Sequence, residues 1–135
     1  MQSKINISPR YAETDQMGIV HHSNYAVWYE LGRVDFCDQV KIPFHVIESR
    51  GLRQALIKLE SEYIKPTRFG EVYTLVTKVV LVTKVRLVFE YSLYDKHDDL
   101  VHRGKTLLAW LDEKLKPVNI IKKAPDIYKV LTEAL

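Results

Sequence analysis

The alternation of apolar and polar residues is most regular between residues 23 and 41. Apolar positions there recur at spacings of three and four and share one helix face: Tyr25, Trp28, Tyr29, Gly32, Phe36 and Val40. The helix is predicted to begin at Ser23 or Asn24, whose side-chain oxygens can cap its first amides, and to end near Lys41. Gly32 costs about 1 kcal/mol of helix stability relative to Ala, so we expect another backbone to approach closely there.

From residue 52 onwards the apolar residues alternate with polar ones, which is typical of β-strands. One strand is predicted up to Pro66, followed by strands at Val72–Val82, Val85–Tyr94 and Leu100–Leu111. Val72–Val82 is β-branched on both faces and is therefore expected to be a central strand with both faces covered. Short turns join these strands, so sequential neighbours should be antiparallel.

Shorter elements are predicted at both ends of the chain. Residues 4–11 should form a strand that Pro9 confines to a sheet edge or a bulge, with Tyr11 on its apolar side. Gly104 weakens the middle of the last strand or permits a bulge. Pro125 begins a C-terminal helix whose apolar face extends to Leu135.

These elements favour the α+β class, with a curved antiparallel sheet of about five strands wrapped around one long central helix. A chain of 135 residues is expected to form a single domain spanning residues 1–135. The two edges of such a sheet need protection, and a second copy pairing edge to edge would provide it.

Composition narrows the function classes only slightly. The net charge of +3 is spread along the chain, so no nucleic-acid partner is indicated. Cys37 is the only cysteine, so no internal disulfide can form. No apolar run is long enough to span a bilayer, and the N-terminus lacks the apolar core of a signal peptide. We therefore expect a soluble, cytoplasmic protein without membrane insertion.

The candidate chemistry lies just before the long helix. Asp15 supplies a carboxylate, and Gly18 lets the chain fold back towards the helix start. The first turn of a helix offers free amides and the positive end of the dipole, so the amide of His22 or Ser23 could polarise a carbonyl. Asp15 could act as nucleophile or as general base. His21 and His22 are adjacent and point in different directions, so we expect no metal site.

The same residues carry a family resemblance. The segment Asp15–Tyr25, followed by Trp28, Tyr29, Glu30 and Arg33, resembles the signature of the 4-hydroxybenzoyl-CoA thioesterase family of hotdog-fold proteins. The branch it most resembles is the acyl-CoA thioesterases associated with the Tol–Pal gene cluster, although Glu13 stands where that branch has Asp. The resemblance implies the hotdog fold and thioester cleavage without metal or cofactor. It also implies Asp15 as catalytic carboxylate and the His22 amide as the oxyanion donor.

Further residues are assigned to substrate binding on weaker grounds. Within the motif these are Gly18, Val20, Ser23, Asn24 and Tyr25, although Asn24 could simply cap the helix and Tyr25 could simply pack. Lys84 and Arg86, near the turn between two strands, could hold the phosphates of CoA or could be merely solvated.

Other titratable residues are given no catalytic part. Glu30 is expected to pair with Arg33 one helical turn away rather than to act as the catalytic acid. His45, His97 and His102 are assigned no role, because they fall in a loop, a turn and a strand.

The resulting prediction is an acyl-CoA thioesterase that acts as a homodimer or homotetramer, with the acyl thioester at the subunit interface. One alternative is a thioesterase acting on acyl carrier protein. Another is a hotdog enoyl hydratase or dehydratase, although the Asp-x-Asn-Pro-x-His loop of that group is absent. A non-catalytic acyl-thioester binding protein is a further alternative. The sequence does not identify the acyl group.

Overall fold

The computed structural model describes residues 1–135 and contains one five-stranded antiparallel sheet crossed by a long helix. The strand order in the sheet is β1-β3-β4-β5-β2. The α+β class and the helix wrapped by a sheet are therefore confirmed. The elements are β1 (Ser3–Ile7), α1 (Asn24–Gln39), α2 (Phe44–Ser49), β2 (Arg53–Tyr63), β3 (Tyr73–Val82), β4 (Arg86–Tyr94), β5 (Leu100–Leu111), α3 (Ile120–Lys123) and α4 (Pro125–Glu133).

The apolar face of α1 packs on the inner face of the sheet, as its spacing predicts. Five of its six predicted positions are buried, and Val40 at the helix end is partly buried. The ring of Phe36 meets that of Phe89 on β4 edge to face, with centroids 5.4 Å apart. Gly32 does permit a close approach, but of a side chain rather than a backbone. A Cβ at that position would lie 2.3 Å from Thr77 Oγ1 on β3.

Several strand predictions need correction. β3 is buried on its inner face, but Lys78 and Leu81 are exposed, because no layer covers the outer face there. β1 is an edge strand as predicted, yet it ends at Ile7, and Tyr11 lies beyond it in an exposed 3-10 turn. Gly104 lies at no bulge: it makes room for the Tyr29 ring, whose Cζ would be 2.1 Å from an added Cβ.

The C-terminal region packs as predicted except at its last residue. α4 begins at Pro125 and buries Ile127 and Leu131. Leu135 lies past the end of the helix and is exposed, so the apolar face ends earlier than the spacing suggests. No helix in the structure is long and apolar enough to cross a bilayer.

β2 is the longer of the two edge strands of the sheet. It is eleven residues long and pairs with β5 on one side only, with Ile57 unpaired at a bulge. The sequence predicts a strand with one face in water, but in a single subunit both faces are largely exposed, since α1 contacts this strand near Ser61 and Tyr63 and leaves most of it uncovered. Leu56, Ile57 and Tyr63 are each about half exposed. A long apolar edge of this kind is a surface for pairing with another strand.

Candidate active site

Asp15 lies at the start of a tight turn that its own backbone and side chain stabilise. Its amide donates to the carbonyl of Ile19 at 2.8 Å, and the Gly18 amide donates to the carbonyl of Asp15 at 3.0 Å. Gly18 has φ +77°, the left-handed conformation expected of a glycine in such a turn. The Met17 amide donates to Asp15 Oδ1 at 2.8 Å, while Oδ2 accepts no hydrogen bond from the chain. One oxygen of a partly buried carboxylate is therefore fixed, and the other remains available.

The turn is tied to the start of α1 through one carbonyl. Thr14 and Val20 pair across the hairpin. Glu13 immediately precedes Thr14, and its carbonyl accepts from the His21 amide at 2.8 Å and from Asn24 Nδ2 at 3.0 Å. One atom at the base of the Asp15 hairpin thus binds both His21, just before the helix, and Asn24, the first residue of α1.

The first amides of α1 are not capped in the predicted way. Ser23 Oγ pairs with His21 Nδ1 at 2.8 Å instead of accepting from the helix, and Asn24 uses its side-chain nitrogen as a donor. Both side chains form hydrogen bonds with the preceding loop, so neither oxygen caps the helix. The His22 amide donates to no atom of the chain, and His22 is exposed. A hydrogen-bond donor therefore stands open beside the positive end of the helix.

Glu13 is a buried carboxylate that the sequence analysis noted only as a departure from a family pattern. Its side chain is bound on both oxygens: Oε1 accepts from the Arg10 amide at 2.7 Å, and Oε2 from Trp28 Nε1 at 3.2 Å. Glu13 therefore anchors the hairpin to α1 rather than acting in chemistry. Trp28 in the apolar face of the helix could have indicated a buried acceptor from the sequence, since a buried Trp N–H requires one.

A buried histidine next to the helix start was missed. His102 on β5 stacks on the Tyr25 ring, with centroids 4.0 Å apart, and its Nε2 pairs with the Tyr29 hydroxyl. That hydroxyl also pairs with Ser61 Oγ at 2.7 Å. Burial lowers the pKa of His102 to about 4 and raises the pKa of Tyr29. The alternation along β5 could have placed His102 on the inner face.

Two of the predicted substrate-binding residues are in fact buried. Tyr25 is 3% exposed, and its hydroxyl pairs with Thr67 Oγ1 at 2.8 Å. The Val20 amide donates to the Thr67 carbonyl at 2.9 Å. Solvent reaches this region beside Tyr63 at the end of β2. The centroid of the Tyr63 ring lies 5.3 Å from that of the Tyr25 ring, and Tyr63 is 54% exposed. The helix start and the unpaired sheet edge therefore adjoin each other.

Lys84 and Arg86 lie at the opposite end of the sheet from Asp15 within one subunit. Arg86 pairs with Ala109, which is seven residues along β5 from His102, or about 23 Å. The predicted Glu30–Arg33 ion pair is wrong, because Arg33 turns inwards and its Nη1 donates to the Tyr91 hydroxyl at 3.1 Å.

The subunit has two sizeable depressions, and neither is lined by Asp15 or His22. One, of about 420 Å³, lies over the charged outer face of the sheet near Glu90 and Lys105. The other, of about 320 Å³, lies between α1, α2 and the first residues of β2. Neither depression is therefore the place where Asp15 would meet a substrate.

Comparison with known proteins identifies relatives of this chain. A model of the thioesterase-like superfamily matches residues 9–135. The putative acyl-CoA thioesterase YneP of Bacillus subtilis is 32% identical over 133 residues, which cover 98% of this chain and 96% of that protein. The chloroplastic acyl-acyl carrier protein thioesterase ATL2 of Arabidopsis thaliana is 26% identical over 118 residues, covering 87% and 63%.

The fold is also shared with solved structures. The DHNA-CoA thioesterase from Staphylococcus aureus superposes with a TM-score of 0.94 at 28% identity, over 98% of this chain and 89% of that one. The expected hotdog fold is therefore confirmed.

Proposed function

We propose that this chain hydrolyses acyl-CoA to a free acid and CoA, because it belongs to the thioesterase-like superfamily and is a thioester hydrolase of the hotdog fold. The observation that supports this most directly is the open His22 amide at the start of α1, joined by hydrogen bonds to the hairpin that carries Asp15. Such a pair provides both groups that thioester cleavage requires: a carboxylate, and a donor for the developing oxyanion. The branch associated with the Tol–Pal cluster remains a prediction from the motif alone.

In this mechanism Asp15 Oδ2 either attacks the thioester carbonyl carbon or removes a proton from the attacking water. The carbonyl oxygen becomes negative in the tetrahedral intermediate and accepts from the His22 amide, which is strengthened by the helix dipole. The carbon–sulfur bond then breaks, and CoA leaves as a thiolate that takes up a proton from solvent. If Asp15 is the nucleophile, water hydrolyses the resulting anhydride. No metal or cofactor enters this scheme.

We further propose that residues 1–135 are one hotdog domain that acts in the cytoplasm as a homodimer or a larger homo-oligomer. The support is the unpaired apolar edge of β2, which a second β2 would cover. Because Tyr63 at the end of β2 adjoins Tyr25 in the first turn of α1, this pairing would also close the open side of the Asp15 site. The acyl thioester then binds at the subunit interface.

Asp15→Asn tests the proposed function directly. Asn keeps an Oδ1 that can accept from the Met17 amide, so the turn and the fold should persist. We expect thiol release from acyl-CoA, measured with a thiol reagent, to fall by about 10²-fold or more. Asp95→Asn is the matched control, since Asp95 Oδ1 also accepts turn amides but lies in a separate hairpin, between β4 and β5. Ordinary turnover by a folded Asp15→Asn protein would remove Asp15 from the mechanism.

A second candidate substrate is an acyl carrier protein thioester, which the similarity to ATL2 favours. The two differ only in the carrier, so the same acyl group on CoA and on acyl carrier protein should be compared. We expect a higher kcat/KM for the CoA ester. A higher value for the carrier protein ester would assign the chain to the second class.

A further inference from the structure

Thr67 is a buried residue that contacts both of the elements on which the proposed chemistry depends. It lies in the loop between β2 and β3 and is 0% exposed. Its carbonyl accepts from the Val20 amide at 2.9 Å, on the hairpin that carries Asp15. Its Oγ1 pairs with the Tyr25 hydroxyl at 2.8 Å, in the first turn of α1. One residue therefore connects the hairpin to the helix start, through its backbone on one side and its side chain on the other.

On the hairpin side, the contact lies close to Asp15. Ile19 immediately precedes Val20, and its carbonyl accepts from the Asp15 amide at 2.8 Å. Ile19 also forms a β-bridge with Arg68, the residue after Thr67. Two neighbouring residues of the hairpin are thus paired with two neighbouring residues of the loop. A displacement of the loop would therefore displace the turn that carries the Asp15 carboxylate.

On the helix side, the hydroxyl pair completes the placement of the Tyr25 ring. The ring stacks on His102, with centroids 4.0 Å apart and planes 13° apart. Stacking fixes the plane of the ring but allows it to slide within that plane. The hydrogen bond to Thr67 opposes sliding, because it requires a defined distance and angle. Tyr25 follows His22 by three residues, so its position bears on that of the open His22 amide.

The loop that carries Thr67 is itself anchored to the sheet on both sides of this residue. The amides of Ile64 and Lys65 both donate to the carbonyl of Val101 on β5, at 3.1 and 2.9 Å. The amide that follows Thr67 donates to the hydroxyl of Tyr73 on β3 at 3.0 Å. Thr67 can therefore act as a fixed support for the hairpin and for the helix start.

We infer that Thr67 is a positioning residue for thioester hydrolysis, which holds the Asp15 carboxylate and the His22 amide in the relative placement that the reaction needs. This inference rests on the proposed function. Thr67 is fully buried and contacts no substrate, so it acts through Val20 and Tyr25. The carboxylate and the amide must meet the same carbonyl group, and a misplacement of about 1 Å can cost about 10²-fold in rate. The loss should therefore appear in kcat rather than in KM.

Thr67→Val tests the inference, because Val keeps the backbone carbonyl and replaces only the hydroxyl, by a methyl group. We expect kcat for thiol release from acyl-CoA to fall about tenfold and KM to change by less than about twofold. Thr67→Ser retains the hydroxyl and should restore most of the native kcat. Unchanged kcat in Thr67→Val, or no recovery in Thr67→Ser, would overturn the inference.

Thr106→Val is the matched control. Thr106 is also 0% exposed, and its Oγ1 pairs with the Tyr91 hydroxyl at 2.6 Å, which bonds to Arg33 farther along α1. Like Thr67→Val, this variant removes a buried hydroxyl pair and should lower the melting temperature. It should keep the native kcat, since it contacts neither the hairpin nor the helix start. An equal fall of kcat in both variants would reduce Thr67 to a structural role.

Tyr25→Phe removes the other half of the same hydroxyl pair and also decides the matter if Thr67→Val does not fold. We expect it to lower kcat to a similar extent. Combining it with Thr67→Val should lower kcat no further, because the two changes remove one interaction. Additive losses would show that the two hydroxyls act separately and would contradict the inference, as would native kcat in Tyr25→Phe.

Hydrogen exchange separates this inference from the proposed function, because it does not depend on turnover. Peptides spanning residues 15–25 should exchange faster in Thr67→Val than in the native protein and at the native rate in Thr106→Val. Unchanged exchange in Thr67→Val would refute the inference even in an active thioesterase. If the native protein releases no thiol from any acyl-CoA, the proposed function fails. Faster exchange in Thr67→Val would then still support Thr67 as the residue that holds the two elements together.

Discussion

His102 should make the protein lose stability on mild acidification, because its buried ring is held neutral. The residue is 1% exposed, stacked on Tyr25 and paired with the Tyr29 hydroxyl. Tyr63 contacts it from β2, and no carboxylate hydrogen-bonds to the ring, so nothing nearby favours the imidazolium. Burial accordingly lowers the pKa of His102 from 6.5 to about 4. We choose His102→Gln as the perturbation, since its amide can still pair with the Tyr29 hydroxyl but does not titrate.

The size of the effect follows from the two pKa values. A pKa lower in the folded than in the unfolded state means that the unfolded chain binds the proton more readily between pH 6.5 and 4. Stability from this group is therefore complete above pH 6.5 and declines as the pH falls towards 4. One pKa unit corresponds to 1.36 kcal/mol, so going from pH 7 to pH 5 should cost the native protein about 2 kcal/mol at this site. His102→Gln should not show this loss.

The assay is urea unfolding of both proteins at pH 7 and pH 5, at one fixed protein concentration because an oligomer's stability depends on concentration. Carboxylates contribute equally in both proteins, so the difference between them isolates His102. The stability advantage of native protein over His102→Gln should shrink by about 2 kcal/mol between pH 7 and pH 5. A parallel decline in the two proteins would show that His102 is not held neutral by burial.

Three further perturbations test the packing described above. Gly104→Ala should destabilise the fold by about 3 kcal/mol in chemical denaturation, because its Cβ would overlap the Tyr29 ring, and combining it with Tyr29→Leu should restore part of the loss. Leu59→Lys on the β2 edge should shift the protein towards monomer in sedimentation and reduce thiol release, whereas Leu115→Lys in an exposed loop should do neither. Glu13→Gln should lower the free energy of unfolding by about 2 kcal/mol in thermal unfolding, since either the Arg10 amide or Trp28 Nε1 would then face an amide NH₂. Unchanged stability would contradict an anchoring role for Glu13.

The sequence determined those features that depend on spacing along one element. The period of α1 identified the residues that it buries. The alternation predicted for Val85, Leu87, Phe89, Tyr91 and Leu93 identified four buried residues, whereas Val85 lies before β4 and is partly buried. The bounds of β5 were predicted to the residue. Gly18 marked the turn after Asp15 correctly, since a positive φ strongly favours glycine. These features are local because backbone geometry repeats every 3.6 residues in a helix and every two in a strand.

Only the tertiary structure decided which side chains meet. Arg33 contacts Tyr91 instead of Glu30, the Glu13 carboxylate contacts an indole fifteen residues away, and His102 lies beneath a helix 73 residues before it. Lys84 likewise proved to be at the far end of the sheet from Asp15. Such contacts depend on strand register and on where α1 crosses the sheet. Both are set by the combined packing of the whole core, so no local spacing encodes them.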